Sequence, residues 1–350
     1  MEKVFALFVL IFLFCPCAFA QNIYPINDKS GGGYIDKNGN IVIAQNYGFT
    51  FNFSGNYAIA QNKNLKYGII DKKGKTVIGF NYDELLNLSE DFVIYRKNDN
   101  FGFIDIKNNK ISEPVFEKMK GFKEGKCAIQ KGGKWGFINR KGETVIEPKY
   151  FSVSDFNEGL SAFSFSEHTT DGYMNKKGEV IIEFKDNKLE PRSFREGLAP
   201  IIKENEKSCS YINKKGKTVL DREKLSPINL YCGSFYEGLT VFYIDQNPRK
   251  ITTGFIDKKG NIKYSKTFDI PEDVSEGEFS AFDNFSSGMA QFTLDYKTGY
   301  INRKFKSVIP QFYEFARDFR GDLAYVKFEN KEGYISKKGK WVWEKEREGM

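Results

Sequence analysis

The sequence predicts an all-β tandem-repeat protein, and three observations carry that expectation. A segment of about 34 residues opens nine times on a short strand that runs into a Lys-Lys-Gly type of turn, at Gly33, Gly68, Gly102, Gly136, Gly172, Ser210, Gly254, Gly299 and Gly333. A second signature, Phe-x-Glu-Gly in its fullest form, follows the first eight, at Phe53, Leu88, Phe122, Phe156, Phe194, Phe235, Phe285 and Phe319. Aromatic residues make up 16% of the chain, with 34 Phe and 19 Tyr, more than turns and surfaces use. A unit this small cannot bury its own apolar face and must stack on its neighbours. Side chains of this kind favour pleated strands with large contacts between them.

Each unit reads as three antiparallel strands. Strand A is the apolar stretch after the Phe-x-Glu-Gly element, as in Leu160-Ser-Ala-Phe-Ser-Phe or Leu323-Ala-Tyr-Val-Lys-Phe. Strand B is the Gly-Phe-Ile-Asp segment and strand C the Thr-Val-Ile segment. The turn between B and C is Asp-Lys-Lys-Gly from Asp71 and Asp257, and Asn-Lys-Lys-Gly from Asn175 and Asn213. Asp or Asn opens a type I turn by bonding the backbone ahead, and Gly closes it by accepting the left-handed conformation of a bulge. B and C therefore form a tight hairpin, and stretches such as 130–134 and 203–207 make a looser one from A to B. Strand C ends in breakers, as at Glu113-Pro114 and Glu147-Pro148, because proline cannot continue a ladder.

Alternation along strand B sets how the units meet. The residue after the opening position is aromatic in every unit except at Ile69, and the next is Ile in every unit except at Met174. Successive strand residues point to opposite faces, so each small sheet is apolar on both sides and needs a neighbour on each. Such sheets stack face to face in a β-propeller-like ring or an open superhelical arc. Nine units exceed the roughly 4 to 8 blades of ordinary propellers. The first unit shows no clear strand A, since 23–33 is polar and glycine-rich, and no split blade is evident that would clasp the ends. Both geometries stay open on this reading.

The start of the chain is different in kind. Met1-Glu2-Lys3 precedes an apolar run from Val4 to Phe14 and the small-x-small site Ala18-Phe19-Ala20, the three regions of a secretory signal peptide. The run is shorter than the roughly 20 residues a bilayer requires. Residues 1–20 are thus expected to be a signal peptide and 21–350 a single β-repeat domain with no transmembrane segment, exported to the periplasm, the cell surface or the medium.

The residues resemble a named family at this point. Lys134-Trp135-Gly136-Phe137-Ile138-Asn139-Arg140-Lys141-Gly142 and the Glu143-Thr144-Val145-Ile146-Glu147-Pro148 that follows look like the bacterial WG repeat, also called the KWG repeat. The tryptophan itself stands before the glycine only at Trp135. The resemblance implies an exported β-repeat scaffold that binds something, and it implies no catalytic residue.

A search for chemistry returns little. His168 is the only histidine, so a histidine-dependent nucleophile would rest on it alone. No His/Cys cluster has zinc spacing, no strand-to-helix phosphate loop occurs, and no cofactor is implied. Asp36-Lys37-Asn38-Gly39-Asn40 has part of a calcium-loop spacing, but its sister units carry lysines there, which makes it a hairpin turn. Glu124, Glu158, Glu196 and Glu237 recur at one repeat position and read as makers of the turn rather than a glycosidase pair. The period lengthens to 44 and 45 residues after Ser210 and Gly254, which inserts loops at 246–250 and 269–278, and insertions in repeat proteins often lie on the binding face.

Charge and cysteines complete the expectation. The net charge is +7, and the turn pairs Lys72-Lys73, Arg140-Lys141, Lys176-Lys177, Lys214-Lys215 and Lys258-Lys259 share one edge of the stack, a candidate site for anionic ligands. Export disfavours nucleic acid. Cys209 and Cys232 are a candidate disulfide in an oxidising compartment, with Cys127 left free. The function expected is a non-catalytic scaffold for a protein or an anionic surface glycan. The alternatives are a carbohydrate-active hydrolase with carboxylates near the inserted loops, and a purely structural envelope component.

Overall fold

The computed structural model describes residues 22–167, 170–185, 189–203, 209–230, 232–246, 250–269 and 281–347. The expected leader 1–20, His168 and most of the inserted loops fall outside them. Within them lie nine antiparallel sheets, each with its strands in sequence order, which together form a nine-bladed β-propeller. Blades 1 to 9 span 24–47, 49–82, 85–111, 118–150, 152–183, 189–220, 229–269, 289–313 and 315–346. The one helix among the described residues is the single turn Arg222–Leu225, capped by the Asp221 side chain, which accepts from the Glu223 N–H.

The three strands expected per unit become four in seven of the sheets. We letter them a to d, so that b, c and d are the expected A, B and C. Strand a is an added short piece at the centre of the ring, such as Phe49–Thr50 or Ser152–Val153. Among the described residues blade 1 has no strand a. Its first strand, Tyr24–Asp28, pairs with Gly31–Ile35 in the register of strand b, so the strand A thought missing from the first unit is present. Pro25, Asn27 and Asp28 hide it, because none of them is a strand former.

The c–d turns are the predicted ones. Asp257 Oδ1 accepts the N–H groups of Lys259 at 2.8 Å and Asn261 at 2.9 Å, while Gly260 has φ +87°. The same arrangement at Asp36 confirms a hairpin turn, with Oδ1 accepting from Asn38 and Asn40. The opening glycine answers a different need. A Cβ on Gly333 would sit 2.1 Å from the Trp343 carbonyl oxygen, where strand d crosses close over strand c beside a bulge.

Nine separate cores fill the nine interfaces between blades. The aromatic residue of strand c faces the following blade and the Ile beside it faces the preceding one, as the alternation predicts. Phe137 packs with Phe156, Phe163 and Met174 of blade 5, whereas Ile138 packs with Phe92, Ile94 and Phe103 of blade 3. The rule carries across the chain ends. Tyr334 and Leu323 of blade 9 pack with Tyr24, Ile26 and Ile35 of blade 1, so the arc closes into a ring. Tyrosine in the aromatic position also latches its neighbour. The buried phenols of Tyr34, Tyr173, Tyr211 and Tyr300 donate to the carbonyls of Phe51, Arg192, Gly233 and Arg317 in the next blade, at 2.5 to 2.7 Å.

Candidate functional site

The a–b turn is a two-residue hairpin loop whose central residues are both left-handed. In blade 5 Asn157 and Leu160 exchange both backbone hydrogen bonds, and Glu158 and Gly159 between them have φ +52° and +88°. Glutamate is a poor choice for that conformation, which Gly and Asn enter at least cost. Its side chain explains its presence. Glu124 accepts the Gly159 N–H of the next blade at 2.9 Å, Glu158 the Gly197 N–H at 2.9 Å, Glu196 the Gly238 N–H at 2.9 Å and Glu237 the Gly288 N–H at 2.9 Å. Glu90 begins the series by accepting from Gly125, and Ser287 ends it by accepting from Gly321. These carboxylates stitch blade to blade.

The same ladder takes four of the ten residues of the predicted basic edge. Arg140 reaches Glu90 at 2.7 Å, Lys176 reaches Glu124 at 2.9 Å, Lys214 reaches Glu158 at 3.1 Å and Lys258 reaches Glu196 at 3.0 Å. Among the described residues blade 1 supplies no such turn, and no glutamate of this kind stands opposite Lys72. Burial would raise the carboxyls of Glu90, Glu124 and Glu196, but the cation beside each and the N–H bonds outweigh it and hold all three below the ordinary carboxylate value. The second members of the pairs, Lys73, Lys141, Lys177, Lys215 and Lys259, are exposed on this face.

The seam between blades 9 and 1 is where the repeat breaks. Elsewhere strand a covers the inner edge of strand b, as when Phe51 N–H donates to Ile59 O and Gly48 N–H to Gln61 O in blade 2. In blade 1 the matching carbonyls are taken by side chains of blade 9: Pro25 O accepts from Tyr334 Oη at 2.9 Å and Asn27 O from Lys345 Nζ at 2.7 Å. Tyr24 Oη donates to Arg320 O at 2.8 Å and accepts the Asp322 N–H at 3.0 Å, in the place of the glutamate stitch. Glu332 holds both Lys327 and Lys345 at 3.1 Å. Burial would raise its carboxyl, but the bonds from Lys345, Lys327 and Tyr325 keep it below its ordinary value.

Beside this seam the described residues leave a cavity of about 1170 Å³, lined from blades 1, 2 and 9 and by Ser286 and Gln291 of blade 8. Its walls include Phe49, Thr50 and Phe51 from blade 2, Phe315, Arg317 and Asp318 from blade 9, and Tyr325 and Trp343 deeper in. Phe49, Phe51 and Phe315 are 42%, 39% and 41% exposed, which is high for aromatics placed at the heart of a fold. A smaller hollow of about 450 Å³ shares Ser286, Gln291 and Asp318 with it and runs on to Asp283, Tyr236 and Arg195, whose guanidinium stacks 3.7 Å over the Tyr236 ring. Asp283 has its carboxyl raised by the surrounding protein and by the charge of Asp318.

Cys209 and Cys232 lie in one core cluster, Cys209 in blade 6 and Cys232 in the segment leading into strand b of blade 7, and both are free thiols. A bond between them would join two blades rather than close one unit. Cys127 is also free and buried, and burial pushes its thiol up. No group of three or more His, Cys, Asp or Glu among the described residues is arranged to hold a metal ion, and no described helix is long and apolar enough to cross a membrane. Tyr24 and Lys345 escaped the sequence reading because each occurs once, where only repeated features such as Tyr334 stood out. The glutamate ladder left one readable signal, the recurrence of Glu at a turn position that prefers Asn or Gly.

Fold and site together define a β-propeller scaffold of nine blades closed by side chains at its seam. The WG containing repeat matches residues 33–65, 67–101, 101–135, 135–165, 172–206 and 299–331, and the chain belongs to that family. Among solved structures it is similar to a eukaryotic initiation factor, with a TM-score of 0.61 at 11% identity over 93% of this chain and 96% of that one. It is also similar to apo AztD from Citrobacter koseri, with a TM-score of 0.42 at 13% identity over 94% and 95%. The first likeness shows the fold alone. No curated protein matches the sequence.

Proposed function

We propose that this protein is an exported, non-catalytic scaffold that binds a protein or a cell-surface glycan at the central opening of its ring. The observation that carries this reading is the seam cavity. A propeller that needed only to be stable would gain by covering these side chains, yet here three aromatic residues stand open around a space lined by charges of both signs. The glutamates that an enzyme would use are engaged in holding the blades, which favours binding over hydrolysis.

The test uses the mature chain, residues 21–350, against a glycan array and envelope extracts at low and high salt. Saturable retention of a glycan or of a defined protein supports the scaffold. Retention of neither leaves a structural envelope component as the better account. A Glu237→Ala variant separates the enzymatic alternative: the scaffold reading expects lower stability and no turnover to lose, whereas glycoside cleavage by the wild type that vanishes in a folded variant would favour the hydrolase.

A further inference from the structure

We propose that the seam cavity binds a short stretch of carboxylate-bearing saccharide chain. This deepens the scaffold reading and rests on it.

A strand from a partner is the first occupant to weigh where blade 1, among the described residues, has no strand a. An added β-strand binds through the edge of its neighbour, so it needs that edge's carbonyls and N–H groups unpaired. Here Pro25 has no N–H, its carbonyl accepts from Tyr334, and the Asn27 carbonyl accepts from Lys345. The Asn27 side chain is engaged as well: its Nδ2 donates to Thr50 O at 3.0 Å and its Oδ1 accepts the Thr50 N–H at 2.8 Å. Both edge carbonyls are thus already taken, and Pro25 offers no donor, which disfavours a peptide backbone there. The occupant must be recognised by the side chains of the walls.

Those walls offer flat aromatic faces with charged groups beside them. Phe49 and Phe51 stand 5.0 Å apart on the blade 2 side, and Phe315 lies on the blade 9 side with Arg317 5.7 Å and Lys327 5.8 Å from its ring centre. The C–H face of a pyranose ring carries partial positive charge and meets the negative face of an aromatic ring, while its rim of hydroxyls needs donors and acceptors together. Asp318, which accepts from Gln291 at 2.7 Å, and Arg317 supply both. The lining holds Arg317, Arg320, Lys327 and Lys345 against Asp318 and Glu332, an excess of positive charge. Two of those lysines are already spent on Glu332, which leaves the arginines to meet carboxylates on the ligand. The volume of about 1170 Å³ exceeds that of ordinary small-molecule sites, which run to roughly 1,000 Å³, and suits several linked rings.

The experiment is calorimetric titration of the mature chain with an oligogalacturonate and with maltotetraose as the neutral probe. The proteins are the wild type, the Phe49→Ala/Phe315→Ala double variant, Arg317→Gln and a Lys141→Glu/Lys177→Glu variant of the exposed lysine face. All the altered side chains are exposed, and thermal melts confirm that each variant folds. The expected result is saturable oligogalacturonate binding that weakens about tenfold in the aromatic and arginine variants, stays unchanged in the lysine variant and declines with salt. Unchanged binding in the aromatic and arginine variants, or a loss confined to the lysine variant, overturns the site while the scaffold reading stands. Equal binding of maltotetraose overturns the carboxylate assignment. If neither saccharide binds the wild type, the inference falls, and the scaffold reading then depends on whether the extracts yield a defined protein.

Discussion

Glu124 shows how one residue can serve the fold against its own backbone preference. At φ +50° it stands where an L side chain is strained, and it offsets that strain by accepting the Gly159 N–H and meeting Lys176. Removing the carboxylate should cost about 1 to 2 kcal/mol, the contribution of a hydrogen bond to a charged group at a half-exposed site. The two obvious replacements should differ. Glu124→Gly loses the stitch but relieves the left-handed strain, while Glu124→Ala loses the stitch and keeps it, so Ala should be the less stable by about 1 kcal/mol. Urea unfolding of the two variants measures this, and equal midpoints would mean that the turn does not hold the conformation described. The sequence showed that glutamate recurs at a turn. Its partner lies in the next blade, 35 residues on for Gly159, and no local pattern reveals such a reach.

The strand and its turn are the scale at which the sequence was most legible, because periodicity is written locally. The alternation of aromatic and Ile in strand c predicted sheets apolar on both faces, and each such pair divides between two neighbouring cores. Strand a was invisible, since in most blades it is a pair of residues such as Ser152–Val153, which carries no alternation to read. The ladder between turns makes a prediction in pH. Glu90, Glu124 and Glu196 have folded-state values below their unfolded ones, so their contribution is fully present above the unfolded value of roughly 4.3 and is lost as pH falls through the folded values. Thermal melts should therefore show little change from these groups between neutral pH and about 5, then a steep decline in Tm on further acidification. A triple Glu→Gln variant at these positions should start lower and decline less steeply. Parallel curves for variant and wild type would remove the ladder as the source of acid sensitivity.

At the scale of the whole molecule the ring differs from the nine copies that compose it, because closure depends in part on residues that are not repeated, Tyr24 and Lys345. Eight interfaces lie between blades joined by the chain, so a separated pair of blades stays close and returns at little entropic cost. The ninth has no such tether. It is held by the buried apolar contact of Tyr24, Ile26, Ile35, Leu323 and Tyr334 and by the hydroxyls of Tyr24 and Tyr334. This is why the sequence left ring and arc undecided: Tyr24 and Lys345 belong to no repeating pattern, and their partners stand some 300 residues away. Opening should therefore begin at the seam. A Tyr24→Phe/Tyr334→Phe variant keeps the rings in the core and deletes only the hydroxyls, at about 1 kcal/mol for each bond lost. Native-state hydrogen exchange should then quicken in 24–35 and 323–336 together, with the blade 5–6 interface unaffected. Tyr173→Phe removes the matching bond to Arg192 O between tethered blades and should lower overall stability by a similar amount without opening its interface. If the seam variant instead raises exchange evenly over all the blades, the ring unfolds as one unit and the seam is no weaker than any other joint.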